Sequence, residues 1–246
     1  MKTVQVVQHT SAEYLGLAED HLEGRGVRFR YNRPFATDGA LPLAGTVGDG
    51  LILLGGGPWG SAGARDLPTL QEEVALARSS LARRWPVVGI GLGEQILAIA
   101  AGGGSEEAPL EFRVGTARRV SEGALGGYLP PEYPLATYGR DRAKLPADAL
   151  VLAEDDVGLA ALWQLGERAF GFRGHPGLKV AMVEDLVMEF EDAPPAAQLE
   201  TGLARLRSEQ RALEDALVPI MTGLVRACGW MDPAKGLRAI PVRRSE

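Results

Sequence analysis

With 246 residues, 46% of them hydrophobic, the chain can bury a core in one domain of about 150 to 200 residues plus an appendage, which excludes global disorder. A net charge of −6 and a sequence pI near 5.3 argue against a nucleic-acid partner, because neutralising phosphates needs a basic stripe and only the short Arg238 to Arg244 tail is basic. A single cysteine, Cys228, excludes an internal disulfide or a cysteine metal cluster and fits a reducing compartment.

The opening MKTVQVVQHT lacks the basic segment and apolar run of a signal peptide, and no stretch approaches about 18 to 20 uninterrupted apolar residues. A soluble, cytoplasmic protein without membrane contact is expected. Val4 to Val7 is a β-branched run that predicts a strand, and Ala12 to Gly24 places Tyr14, Leu15, Leu17, Ala18 and Leu22 at helical spacing. Val27 to Tyr31 and Gly50 to Leu54 predict two further strands, the second running into Gly55, Gly56, Gly57 and Pro58. A helix over Leu67 to Arg84, a strand over Pro86 to Ile90, a turn at Gly91 to Gly93 and a helix over Glu94 to Ala101 follow. Strands that alternate with helices predict a parallel sheet.

From Leu110 to Phe172 the segments are shorter, with strands expected at Glu111 to Arg119, Leu135 to Tyr138, Ala149 to Ala153, Ala160 to Leu165 and Ala169 to Phe172. Turn residues between them predict antiparallel additions. Ala181 to Glu191 reads as a helix that closes the core domain. Beyond Pro194 and Pro195, an apolar stripe from Leu199 to Ala227 alternates by three and four residues, and Pro219 is expected to split it into two helices. The expected organisation is a domain over 1–192 and a helical C-terminal extension over 193–246, whose 196–228 stripe either meets a protein partner or second copy or folds back on its own domain.

Pro86-Val-Val-Gly-Ile-Gly91-Leu-Gly-Glu-Gln95 has the strand, tight turn and helix of a nucleophile elbow. It resembles the class I glutamine amidotransferase elbow, P-[VI]-[LF]-G-I-C-[LY]-G-x-Q, with Gly91 in place of the cysteine. Leu53-Leu54-Gly55-Gly56-Gly57-Pro58 is similar to the strand and G-G-P loop that supply the family's oxyanion amide, since glycines let backbone N–H groups approach a developing negative charge. Ala169-Phe-Gly-Phe-Arg-Gly-His175-Pro176-Gly177 resembles Y-G-x-Q-F-H-P-E, keeping the histidine but placing Gly177 at the acid. Val6-Val7-Gln8-His9 is similar to the start of the stand-alone, GMP-synthase-like branch.

The resemblance implies a flavodoxin-like α/β fold with a mostly parallel sheet, over about residues 3 to 190. It also implies that glutamine hydrolysis is lost: a working triad needs a thiolate, a base and an orienting carboxylate, and Gly91 and Gly177 vacate the first and third. Gly56, Gly57, Pro58, Leu92 and Gln95 would surround the former oxyanion position. His175 is either a packed relic or a ligand contact, Trp59 either floors a pocket or caps the core, and Glu94 is read as a solvated or capping carboxylate of the helix's first turn, with a base or amine-binding role as the alternative. Tyr138, Arg140 and Arg173 are candidate ligand contacts; either arginine would hold a carboxylate or phosphate, or pair at the surface with Asp141 or Glu167. Cys228 is expected to be a buried structural cysteine. With His9, His21 and His175 at no ligand spacing, no metal is expected, and no cofactor.

The expected role is that of an inactive amidotransferase relative that binds, stabilises or regulates a biosynthetic enzyme. The competing reading is an enzyme with new chemistry in the former glutaminase pocket, using loop amides with His175 and Arg173 on an amide or carboxylate substrate.

Overall fold

The computed structural model describes residues 1–63 and 65–231, so the basic tail at 238–244 lies outside the described residues. In chain order the elements begin with β1 (Thr3–Val7), α1 (Ala18–Glu23), β2 (Arg28–Asn32), β3 (Leu51–Leu53), α2 (Leu70–Ala82), β4 (Val87–Ile90) and α3 (Leu92–Ala100). They continue with β5 (Gly104–Glu106), β6 (Glu111–Arg119), β7 (Glu132–Gly139), β8 (Arg142–Lys144), β9 (Leu150–Asp155), β10 (Ala160–Leu165), β11 (Ala169–Phe172), α4 (Val180–Glu189) and α5 (Ala196–Ala227).

One nine-stranded sheet runs in the order β2-β1-β3-β4-β11-β10-β9-β6-β7. Its first five strands pair in parallel, and from β11 onward every pairing is antiparallel. The alternation of β-branched and aliphatic residues explains why the parallel half is covered on both faces. Val7, Leu51, Leu53 and Val87 pack with α2 and α3, whereas Val4, Val6, Ile52, Val88 and Ile90 pack with α1 and the C-terminal half of α5. The N-terminal half of α5 and α4 cover Phe112, Val114, Ala136 and Tyr138. No helix among the described residues is long and apolar enough to cross a membrane.

Two expectations need correction. The helix expected from Ala12 begins only at Ala18, because Gly16 takes φ +60° and a side chain there would meet the Gly177 carbonyl. The chain before it is held by long-range bonds instead, Leu15 N–H donating to the Tyr31 hydroxyl at 3.0 Å and Leu17 N–H to the Gly177 carbonyl at 3.0 Å. Pro219 does not split the C-terminal segment, since α5 is one helix of 32 residues. An interior proline costs about 3 kcal/mol, while Leu217, Ile220, Met221, Leu224 and Val225 are all buried around it and each contributes roughly 1.5–3 kcal/mol. A short antiparallel addition is expected, and β5 and β8, two strands not singled out in the sequence, form a two-stranded antiparallel sheet.

The apolar stripe of 196–228 is therefore buried against the chain's own sheet: Leu206, Leu213, Leu217, Ile220 and Leu224 are at most 4% exposed. Glu200, Arg207, Arg211 and Glu214 form the outward face. Cys228 is buried at the end of this helix, and burial pushes its thiol pKa up.

Candidate functional site

The elbow forms where β4 runs into α3. Gly91 adopts φ +56° and ψ −114°, its N–H donates to the Phe172 carbonyl at 2.8 Å, and its carbonyl accepts from Glu94 N–H at 3.0 Å. This backbone is strained for any residue with a side chain, and glycine carries it without that strain. Space is not the obstacle, because a Cβ at 91 would meet only the Gly55 Cα, at 3.4 Å.

Across from the elbow, the glycine loop after β3 is held by groups that the motif reading missed. Gly57 N–H donates to Glu13 Oε2 at 2.9 Å, so the amide expected in an oxyanion hole already carries a carboxylate. Glu13 is buried, and loss of solvation pushes its pKa up to about 7 against the opposing pull of the Gly57 bond. Beneath the loop, His9 places Nδ1 3.0 Å from the Gly55 carbonyl and Nε2 2.8 Å from Glu73 Oε2. Both ring nitrogens face acceptors, which suits the imidazolium. Burial alone would lower the His9 pKa, yet Glu73 and the Gly55 carbonyl together raise it. Thr69 completes the group by donating to Glu73 Oε1 at 2.7 Å. The sequence Thr10-Ser-Ala-Glu13 carried one local signal, the S/T-x-x-E pattern of a cap, and Glu13 N–H does receive Thr10 Oγ1 as acceptor at 3.0 Å. Its side chain reaches the glycine loop instead of its own turn.

His175 stands apart from the elbow cleft. Gly177 N–H donates to its Nδ1 at 3.1 Å, so Nε2 carries the proton and donates to the Tyr14 carbonyl at 2.7 Å. Burial pushes its pKa down to about 4, against the raising effect of those backbone bonds. The ring lines a small separate cavity with Tyr133, Phe172 and Ile220. Gly177 leaves no room for an acid, because a Cβ there would meet the Leu15 carbonyl at 2.7 Å and Ala18 N at 2.9 Å.

The cleft beside Gly91 gathers most of the other residues singled out in the sequence. Gly56, Gly57, Trp59, Leu92, Glu94, Gln95, Tyr138, Arg140 and Arg173 line it, whereas Pro58 is buried behind the loop. Glu94 is not the solvated carboxylate expected at a first helical turn. It is buried, its Oε1 accepts from Trp163 Nε1 at 2.7 Å, and burial pushes its pKa up to about 7. Gln95 braces the opposite wall, donating to the Arg140 carbonyl at 2.8 Å and accepting from Ser61 Oγ. The arginines pair with other acids than expected: Arg173 bonds Asp155 at 2.6 Å and Glu111 at 3.2 Å, and Arg140 bonds Asp192 at 2.5 Å. Trp59 carries the Arg65 guanidinium 5.2 Å above its ring. Among the described residues no three His, Cys, Asp or Glu side chains gather as metal ligands.

This fold is shared with solved amidotransferases. The structure is similar to a glutamine amidotransferase from Methylobacillus flagellatus, with a TM-score of 0.76 and 23% identity over 92% of this chain and 95% of that one. It is also similar to a glutamine amidotransferase from Thermotoga maritima, with a TM-score of 0.72 and 22% identity over 92% of this chain and 98% of that one. In sequence, residues 28–182 match the model of the family described as glutamine amidotransferase class-I, which is more than half of the chain. The chain belongs to the class I glutamine amidotransferase family. A GMP synthase [glutamine-hydrolyzing] from Leifsonia xyli subsp. xyli is 33% identical over 146 residues, which are 56% of this chain and only 28% of that enzyme.

Proposed function

We propose that this protein is a catalytically silent class I amidotransferase domain that binds, stabilises or regulates a biosynthetic enzyme, with α5 (Ala196–Ala227) as a helical extension clamped on it. The observation that carries this reading is the state of the three positions the triad would need. Gly91 has no nucleophile. His175 spends both ring nitrogens on the backbone of Tyr14 and Gly177, and Gly177 is hemmed in by backbone atoms. A histidine held neutral with no free nitrogen cannot take a thiol proton. The Glu13 carboxylate on Gly57 N–H adds a second obstacle, since a developing oxyanion would have to displace it.

A partner-bound role is supported by the Leifsonia relative, in which the matched part is joined to a much longer enzyme. The apolar stripe of α5 is occupied internally, so a partner would meet other surfaces, such as the charged outer face of that helix. A GMP-synthase-type partner in the cytoplasm is the specific form of the proposal.

The test is direct. The purified protein should release no ammonia from glutamine above the buffer control, while affinity capture from its source should retain a biosynthetic enzyme in constant ratio. Glutamine hydrolysis by the natural protein would overturn the silent reading, and a monomer with no retained enzyme would overturn the partner role.

A further inference from the structure

The cleft beside Gly91 holds buried hydrogen-bond donors that the protein itself leaves unused. The Tyr138 hydroxyl and the Nε atoms of Arg140 and Arg142 are buried and have no hydrogen-bond partner among the described residues, and all three residues line this cleft. Tyr138 is 6% exposed. An orphaned buried donor costs on the order of 1–3 kcal/mol, so three in one cleft call for a ligand rich in acceptors.

Charge points the same way. Every acid that lines the cleft already has a partner. Asp141 accepts from the N–H groups of Ser61, Ala62 and Ala108 at 2.8, 3.0 and 3.1 Å. Glu111 is bound to Arg173, Glu106 lies 3.7 Å from Lys144, and Glu94 accepts from Trp163. Arg140 and Arg173 are paired as well. Arg142 is the exception, forming no ion pair and no side-chain hydrogen bond among the described residues. It follows Tyr138 and Arg140 on β7, the loop after it and β8, a stretch of chain whose residues 137–143 all line the cleft.

From this arrangement we propose that the cleft is a binding site for a small oxyanion, a carboxylate or phosphate, held by Arg142 with help from the Tyr138 hydroxyl and Arg140 Nε. The cavity measures about 80 Å³. At roughly 10–15 Å³ for each water-sized occupant, it takes on the order of five to eight non-hydrogen atoms. That range fits inorganic phosphate or a short dicarboxylate and leaves little room for a nucleotide. The site requires neither hydrolysis nor a partner enzyme, so it stands or falls apart from the silent-subunit reading.

Calorimetric titration of the full chain with inorganic phosphate, with succinate and with glutamine tests the site. Saturable one-to-one binding of phosphate or of succinate is expected, and whichever binds identifies the source of the oxyanion. Arg142→Gln should weaken that binding about tenfold or more, as loss of a charge-assisted contact does. Tyr138→Phe should weaken it several-fold while raising the melting temperature of the unliganded protein, since it removes an unsatisfied buried hydroxyl, and Arg118→Gln, an exposed arginine paired with Glu132 outside the cleft, should leave the binding unchanged. Absence of saturable binding for both anions, equal affinity in Arg142→Gln, or binding of glutamine alone would overturn the proposal.

Discussion

His175 donates from Nε2 to the carbonyl of Tyr14 across 2.7 Å, tying the loop after β11 to the segment that precedes α1. On the proposed reading, the histidine at the family's general-base position serves as a cross-brace. With Gly177 N–H on Nδ1, the ring is fixed as one neutral tautomer, and burial pushes its pKa down to about 4. Nitrogen-15 spectra should therefore show His175 neutral and protonated at Nε2 throughout pH 5.5–8. His175→Ala strands a buried carbonyl and a buried N–H, and should cost about 2–5 kcal/mol in urea denaturation. A ring that titrates near its ordinary value, or an alanine variant of unchanged stability, would show that the brace does not exist in solution.

Restoring the thiol should not restore the chemistry. A side chain at 91 finds open space but must accept φ +56°, at about 1–3 kcal/mol. Gly91→Cys is expected to fold with that loss of stability and to release no ammonia from glutamine, because His175 remains engaged and Glu13 still holds Gly57 N–H. Glutaminase activity in this single variant would show that the base and the oxyanion amide are available after all.

The acid position behaves differently. Gly177→Glu drives a Cβ into the Leu15 carbonyl and Ala18 N, atoms of backbone that are fixed by the bonds of Leu17 and Ala18. A loss of at least about 2 kcal/mol is expected from this overpacking. Denaturation midpoints of Gly91→Cys and Gly177→Glu, measured side by side, should separate a site that is vacant from one that has been closed.

How much of this was legible in the sequence follows from how local each feature is. The elbow and the glycine loop are written in consecutive residues, because a strand, a tight turn and a helix impose glycine at fixed offsets. Placing Glu94 in solvent failed because its environment is made by Trp163, a residue of β10 far along the chain. Glu13 on Gly57, Glu73 on His9 and the Tyr14 brace on His175 were invisible for the same reason: each joins segments that only the sheet order brings together. Arg142 gave no signal at all, since its interest lies in what it fails to pair with.

Glu94 makes the electrostatic environment measurable. Its folded-state pKa is raised from an ordinary 4.5 to about 7 by burial, so the folded protein binds more protons than the unfolded chain between those values. The resulting stability is fully present below about pH 4.5 and is lost as pH rises through 7. Glu94→Gln keeps an acceptor for Trp163 and removes the ionisation. Relative to the natural protein, the variant should gain stability steadily from pH 5 to pH 8, by about 2–3 kcal/mol in all at roughly 1.4 kcal/mol per pKa unit. Parallel melting curves at the two ends of that range decide it, and a constant difference between the proteins would mean that Glu94 is ionised throughout.

Pro219 lies in a helix that continues through it, and the cost of that placement is recoverable. Without an N–H it leaves the Asp215 carbonyl without its helical donor, and its ring crowds the preceding turn. The helix persists because Leu213 and Leu217 before it, and Ile220, Met221 and Leu224 after it, are all buried on one side. Packing of that face against α1 and the 124–127 turn holds the two halves in a single element. Pro219→Ala restores the bond and removes the clash, offset by about 1 kcal/mol from the greater freedom of the unfolded chain. A net gain of about 1–2 kcal/mol is expected, seen as a higher melting temperature with unchanged helix content by circular dichroism. If the variant were instead destabilised, the proline would be shaping a bend that the packing of α5 requires, and the helix would follow the sheet because of Pro219 rather than in spite of it.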